Sequence, residues 1–116
     1  MPPKVDQNEI DSLRLVCRKI EQSIDEAVKL DDLAKLAGMN THRLTDLFLY
    51  FVGHTIEEYH ILIRMGVAVR LLTETNDSIT DIAYMVGYAN VRSFGKEFKK
   101  HTHFTASEYR RKYRSE

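Results

Sequence analysis

The chain has a single cysteine, and both of its prolines fall within the first three residues. A lone thiol excludes an internal disulfide, and from Lys4 onward no pyrrolidine ring bars the chain from forming helix. Only five glycines are present, few enough to act as punctuation between elements. Long apolar runs are also missing. The longest, Leu47-Phe48-Leu49-Tyr50-Phe51-Val52, is far short of the ~20 residues that cross a bilayer, and Met1-Pro2-Pro3-Lys4-Val5-Asp6 lacks the apolar core of a secretory signal. These absences point to the reducing cytoplasm and away from a membrane. Net charge is zero, with 17 basic and 17 acidic residues, which taken whole argues against a polyanionic partner.

The distribution of charge reverses that argument. Residues 1–58 hold 7 Lys/Arg against 11 Asp/Glu, while residues 59–116 hold 10 against 6. Between Tyr88 and Arg114 there are 8 basic and 2 acidic residues, a local excess that attracts phosphate whatever the total charge. With 29% charged and 43% hydrophobic residues in 116, the composition is that of one globular domain, or two very small ones.

Helical spacing runs throughout. Ile10, Leu13, Cys17, Ile20 and Ile24 form the stripe of a first amphipathic helix, opened by Asn8 or Asp11. Cys17 lies in that stripe and reads as a small buried hydrophobe, because no His or second Cys has helical spacing to it. A short helix over 30–37 and a longer one over 41–51 flank Gly38-Met39-Asn40, with Gly38 ending the first and Asn40 capping the second. Thr55-x-x-Glu58 is a capping box for a helix over 56–74, whose middle is so apolar that it must be enclosed on several sides. A turn at 75–77 precedes a helix over 78–86. Another runs from Asn90 to about Lys100, and Thr105-x-x-Glu108 opens the last.

The halves repeat. At an offset of 49, Leu30, Leu33, Ala34, Leu36 and Gly38 fall on Ile79, Ile82, Ala83, Met85 and Gly87. One extra residue then shifts the offset to 50, placing Asn40 on Asn90, Leu44 on Phe94, Phe48 on Phe98, and Thr55, Glu58 and Tyr59 on Thr105, Glu108 and Tyr109. Two copies of one helix-turn-helix unit account for this. The first helix of each copy needs a small residue, Ala34 or Ala83, at the crossing, and the second helix is left with a free face. In the first copy Leu44, Leu47, Phe48 and Phe51 bury one side, leaving His42, Thr45, Asp46 and Leu49 outward. In the second, Phe94 and Phe98 bury one side, leaving Arg92, Gly95, Lys96 and Lys99 outward. Such a face fits a major groove about 12 Å wide. The plainer reading, a bundle with solvated faces, competes well for one unit and poorly for two with a basic second copy.

The stretch Ser78-Ile79-Thr80-Asp81-Ile82-Ala83, then Val86-Gly87-Tyr88, Phe94, Phe98-Lys99-Lys100 and Glu108-Tyr109-Arg110, resembles the DNA-binding domain of AraC/XylS-family bacterial transcription regulators. Arg64, Ala68 and Leu71-Leu72 are similar to the family's linker helix, and the resemblance covers about Ile10 to Tyr113. It implies an all-α, homeodomain-like fold of seven helices with two helix-turn-helix subdomains joined by a linker helix. The expected bounds are 1–8 for a flexible arm, 9–54 and 76–116 for the subdomains, and 55–75 for the linker. It also implies a double-stranded DNA operator and RNA polymerase as partners, with a small-molecule effector only where a separate sensor domain exists. Three positions depart from the family: His103 and Ala106 stand where it usually has Gly and Pro, and Asp46 stands where a neutral or basic side chain is common.

The expected base contacts are Arg92 first, then Lys96, His42 and Thr45, with Asp46, Gly95 and Val91 on the same faces. Asp46 either accepts from a cytosine amine or pairs with Arg43, and Val91 either meets a thymine methyl or packs inward. Expected phosphate contacts are Asn40, Thr41, Arg43, Thr80, Asn90, Lys99, Lys100, Arg110 and Arg111, joined by backbone amides at the starts of the two reading helices. The 19-residue linker helix should be about 28 Å long, close to the ~34 Å between successive major grooves, so an asymmetric site bound by one protein is expected. His101-x-His103 is too sparse for a metal site. No phosphate-cradling loop or nucleophile motif is present, so neither catalysis nor a cofactor is expected. The competing function is a protein-interaction module using the apolar 48–52 region, which requires an exposed Leu49.

Overall fold

The computed structural model describes residues 1–114; residues 115 and 116, the end of the expected second subdomain, lie outside the described residues. Seven helices and no strand are found among them: α1 Gln7–Gln22, α2 Leu30–Ala37, α3 Thr41–Val52, α4 Ile56–Glu74, α5 Ile79–Met85, α6 Val91–Thr102 and α7 Ala106–Tyr113. No described helix is long and apolar enough to cross a membrane.

Asp6 opens α1, displacing the expected Asn8 or Asp11. Its side chain accepts from the Glu9 amide at 2.8 Å and Glu9 reaches back to the Asp6 amide, a reciprocal capping box. Of the expected arm, residues 7–8 belong to α1 and Val5 packs against the core. The stripe of α1 is also turned from its expected position. Leu13, Val16 and Ile20 are buried, Cys17 is half-buried, and Ile24 lies beyond the helix end at Ser23.

The chain divides into two compact units, residues 1–61 and the residues from Leu62 on, so α4 belongs to neither alone. Ile56 and His60 are buried in the first unit, and Met65, Ala68 and Leu72 in the second, which is why this helix is apolar around its circumference. The expected separate linker over 55–75 is thus shared between two cores.

The repeat read in the sequence persists in atomic detail. In the first unit Gly38 adopts φ 69°, and Met39 donates back to the Ala34 carbonyl at 3.1 Å. In the second, Gly87 has φ 104° and Tyr88 donates to the Ala83 carbonyl at 2.9 Å. Ala34 and Ala83 are both buried, leaving no bulk beneath the crossing helices. Phe48 and Tyr59 meet edge to face at 5.6 Å, and their counterparts Phe98 and Tyr109 do so at 5.5 Å. Each of the two buried phenylalanine rings contributes about 1.5–3 kcal/mol by leaving water. The capping boxes Thr55–Glu58 and Thr105–Glu108 share the same two bond lengths, 2.8 and 3.1 Å.

The copies differ where α3 and α6 end. Gly53 closes α3 at φ 86°, while His103 closes α6 at φ 67°, the one described non-glycine residue with positive φ. A Cβ in this left-handed region is strained, and His tolerates it better than most side chains.

Candidate nucleic-acid interface

In each helix-turn-helix copy the second helix has one face buried. In α3, Leu44, Leu47 and Phe48 are buried, and Asn40 caps the helix by accepting from the Arg43 amide at 2.7 Å. The opposite face carries exposed His42, Thr45, Asp46 and Leu49. Thr45 donates its hydroxyl to the Thr41 carbonyl at 2.8 Å, and His42 Nε2 lies 3.3 Å from Asp46 Oδ2 one turn away. Asp46 therefore pairs with His42 rather than Arg43, leaving the first face with little net positive charge. Thr41 is half-buried at the start of this helix.

The second face is different in kind. Phe94 and Phe98 are buried, Asn90 accepts from the Ser93 amide at 2.8 Å, and Val91, Arg92, Lys96, Lys99 and Lys100 are exposed. Val91 is 40% exposed, so its inward alternative is excluded. Gly95 lies among the cations with open space where a Cβ would stand. Among the described residues, no carboxylate comes within ion-pair distance of Arg92, Lys96, Lys99 or Lys100. Lys99 and Lys100 also sit in the last turn, where cations offset the helix dipole, but that purpose does not require Arg92 and Lys96 near the start. Thr80 and Arg111 are exposed as well. His101, by contrast, faces Glu97 at 3.8 Å and is partly covered.

Two expected phosphate ligands are occupied elsewhere. Arg43 Nε donates to Glu9 Oε2 at 2.9 Å, and its Nη2 donates both to Glu9 Oε1 at 2.9 Å and to the Lys4 carbonyl at 2.6 Å. Its guanidinium fastens α3 to α1, and the equivalent position in the second unit is the small, exposed Ser93. Arg110 donates Nε to the Leu72 carbonyl at 2.9 Å and Nη2 to the Leu71 and Thr75 carbonyls at 3.4 and 3.3 Å. It satisfies the C-terminal carbonyls of α4, which no amide of that helix can reach. Phe51, expected in the core, is 44% exposed in the last turn of α3. Sequence reading missed Glu9 as the residue that holds α3 through Arg43. The signal was available, since Asp6-x-x-Glu9 has the same spacing as the two capping boxes that were recognised.

A family described as a helix-turn-helix domain matches residues 33–112. Solved neighbours with the same arrangement of seven helices include AraC-type DNA-binding domains. The chain belongs to the AraC-type helix-turn-helix family. This AraC-type chain is 33% identical over 115 residues to the lactose operon transcription activator of Staphylococcus xylosus, covering 93% of itself and 40% of that protein. It thus spans less than half the length of that relative. It superposes on a transcriptional regulator from Chromobacterium violaceum, described as containing an AraC-type DNA-binding domain, with a TM-score of 0.82 and 25% identity, covering 92% of this chain and 96% of the other. It shares its fold with the DNA-binding domain of AdpA, solved with a target DNA, at a TM-score of 0.81 and 22% identity over 88% of this chain and 92% of that one. Within this AraC-type frame the departures at His103 and Ala106 are absorbed locally. His103 adopts the left-handed turn, and Ala106 begins α7 as a buried residue after the Thr105 cap.

Proposed function

We propose that this AraC-type chain binds double-stranded DNA sequence-specifically as the reading part of a bacterial transcription regulator, with α6 as its principal reader. The observation that carries this reading is the exposed, unpaired cationic face Arg92–Lys96–Lys99 on a helix whose other side is locked by Phe94 and Phe98. Arg92 bonds bidentately to a guanine edge, Lys96 reads beside it, and Val91 touches a thymine methyl. Gly95 lets the helix backbone approach the bases. His42, Thr45 and Asp46 read more weakly from α3, Asp46 accepting from a cytosine amine. Lys99, Lys100, Arg111, Thr80 and the amides behind Asn40, Thr41 and Asn90 hold phosphates.

Two reading helices in one chain call for two half-sites in successive major grooves, so one protein occupies an asymmetric operator about two turns long. RNA polymerase is the proposed protein partner, and a small-molecule effector acts only through a separate sensor domain. The role is non-enzymatic and cytoplasmic. Selection of bound sequences from a random duplex pool tests the reading, followed by titration of the enriched duplex at several salt concentrations. An enriched asymmetric motif, one protein per duplex and a steep fall of log affinity with log salt are expected. A salt-insensitive interaction without enrichment, or an obligatory dimer on a palindrome, refutes it.

A further inference from the structure

Leu49, Tyr50 and Phe51 are 49%, 53% and 44% exposed, three consecutive apolar residues at the end of α3. Tyr50 and Phe51 pack on each other edge to face at 4.9 Å, forming a preformed aromatic ledge. Phe51 and Val52 border an open groove of about 490 Å³ whose other wall is the Ile10–Cys17–Glu21 face of α1. Leu49 lies on the His42 side of the helix, but Tyr50 and Phe51, packed together at the groove, still exceed the scattered singles that a surface normally carries. At 3.6 residues per turn, Phe51 stands about two and a half turns from His42, on the opposite side of α3 from the face that reads DNA.

We propose that this groove docks an acidic amphipathic helix of a partner protein. Charge selects the occupant. Arg14 and Arg18 lie one turn apart on the groove, both exposed, with no carboxylate in ion-pair reach among the described residues. The one acidic residue of the lining, Glu21, is already bonded by the Tyr59 hydroxyl at 2.5 Å. Residues 1–58 carry a net excess of acid, so two free guanidiniums beside an apolar groove form a local exception with a specific complement. That complement is a helix of about three turns with an apolar seam and carboxylates spaced i, i+4. A second copy of this chain fits poorly, because a two-fold contact across the groove would set Arg14 and Arg18 against themselves.

The probe is a fluorescein-labelled helical peptide of about 14 residues with a leucine seam flanked by glutamates, compared with the same peptide carrying lysines. Anisotropy is read on the chain alone and on its complex with the selected operator, and amide shifts are read on the 15N-labelled chain. The acidic peptide is expected to bind with shifts confined to residues 10–21 and 50–52, equally with and without DNA. Arg14→Glu with Arg18→Glu should weaken it at least tenfold and transfer preference to the lysine peptide, with operator affinity unchanged. Tyr50→Ser, at an exposed site, should weaken both peptides. Equal binding of the two peptides, shifts elsewhere, no binding, or sedimentation showing a dimer that Tyr50→Ser dissolves would each overturn the proposal. None of those outcomes touches the DNA reading, which rests on α6 and on His42, Thr45 and Asp46.

Discussion

Arg43, in the first turn of α3, and Glu9, in α1, meet through two parallel hydrogen bonds of 2.9 Å each. This fork fixes α3 against α1. The Glu9 carboxyl is correspondingly held below its ordinary range, chiefly by the Arg43 hydrogen bond. Arg43→Ala is expected to lower the melting temperature and to loosen α3 in amide exchange while leaving the salt slope of DNA binding unchanged. Arg43→Lys restores little, since an ammonium lacks the planar fork. A salt slope reduced by about one unit would instead make Arg43 a phosphate ligand.

Arg110 separates structure from binding in the same way. Arg110→Ala leaves the Leu72 and Thr75 carbonyls without this donor and should cost about 1–3 kcal/mol of stability, read by chemical denaturation. Lys99→Ala should leave stability nearly unchanged, weaken all duplexes alike and flatten the salt slope by about one unit.

On the reading face, Arg92→Ala should cost roughly 1–3 kcal/mol on the selected operator and blur preference at one or two base pairs. Asp46→Asn should raise affinity for random duplex, because one negative charge is removed from the exposed side of α3. Competition binding against specific and random DNA checks both. If Arg92→Ala preserves the preference while a change at His42 or Thr45 abolishes it, α3 is the principal reader.

Acid should unfold the chain in a defined window. The Glu58 and Glu108 carboxyls, like that of Glu9, are held below their ordinary range, in these two cases first by hydrogen bonds from the backbone of Thr55 and Thr105. Because folding depresses these values, their stabilisation is complete above the unfolded carboxyl value of about 4.3 and is lost as pH falls through the folded ones. Circular dichroism across that range should show a steeper loss for the wild type than for Glu9→Gln with Glu108→Gln.

His103 holds a left-handed φ of 67° that Gly53 supplies without strain in the other copy. His103→Gly is expected to stabilise the second unit by up to about 1 kcal/mol, the relief of the Cβ clash slightly outweighing the added freedom of the unfolded chain. A thermal melt that falls instead would show that the imidazole contributes more than its strain costs.

Much of this protein is set by local rules that act within a few residues. Spacing of apolar side chains, the caps at Asn40, Ser78, Asn90 and Thr105, and the turns at Gly38 and Gly87 define six helix starts or ends, and the repeat at offsets of 49 and 50 identifies two copies of one unit. The outward face of α6 follows from the same periodicity, since Phe94 and Phe98 leave Arg92 and Lys96 only the opposite side. Tertiary structure decided what two-body contacts between distant segments decide. Whether a guanidinium is available depends on what lies 34 or 38 residues away: Glu9 engages Arg43, the end of α4 engages Arg110, and Arg92 meets no carboxylate. Likewise α1 turns to bury Val16 rather than Cys17, and Phe51 stays exposed although its spacing sets it on the side of Leu44 and Leu47. Helical periodicity gives a residue its side of the cylinder; only the neighbouring helix determines whether that side is covered, paired or open to a ligand.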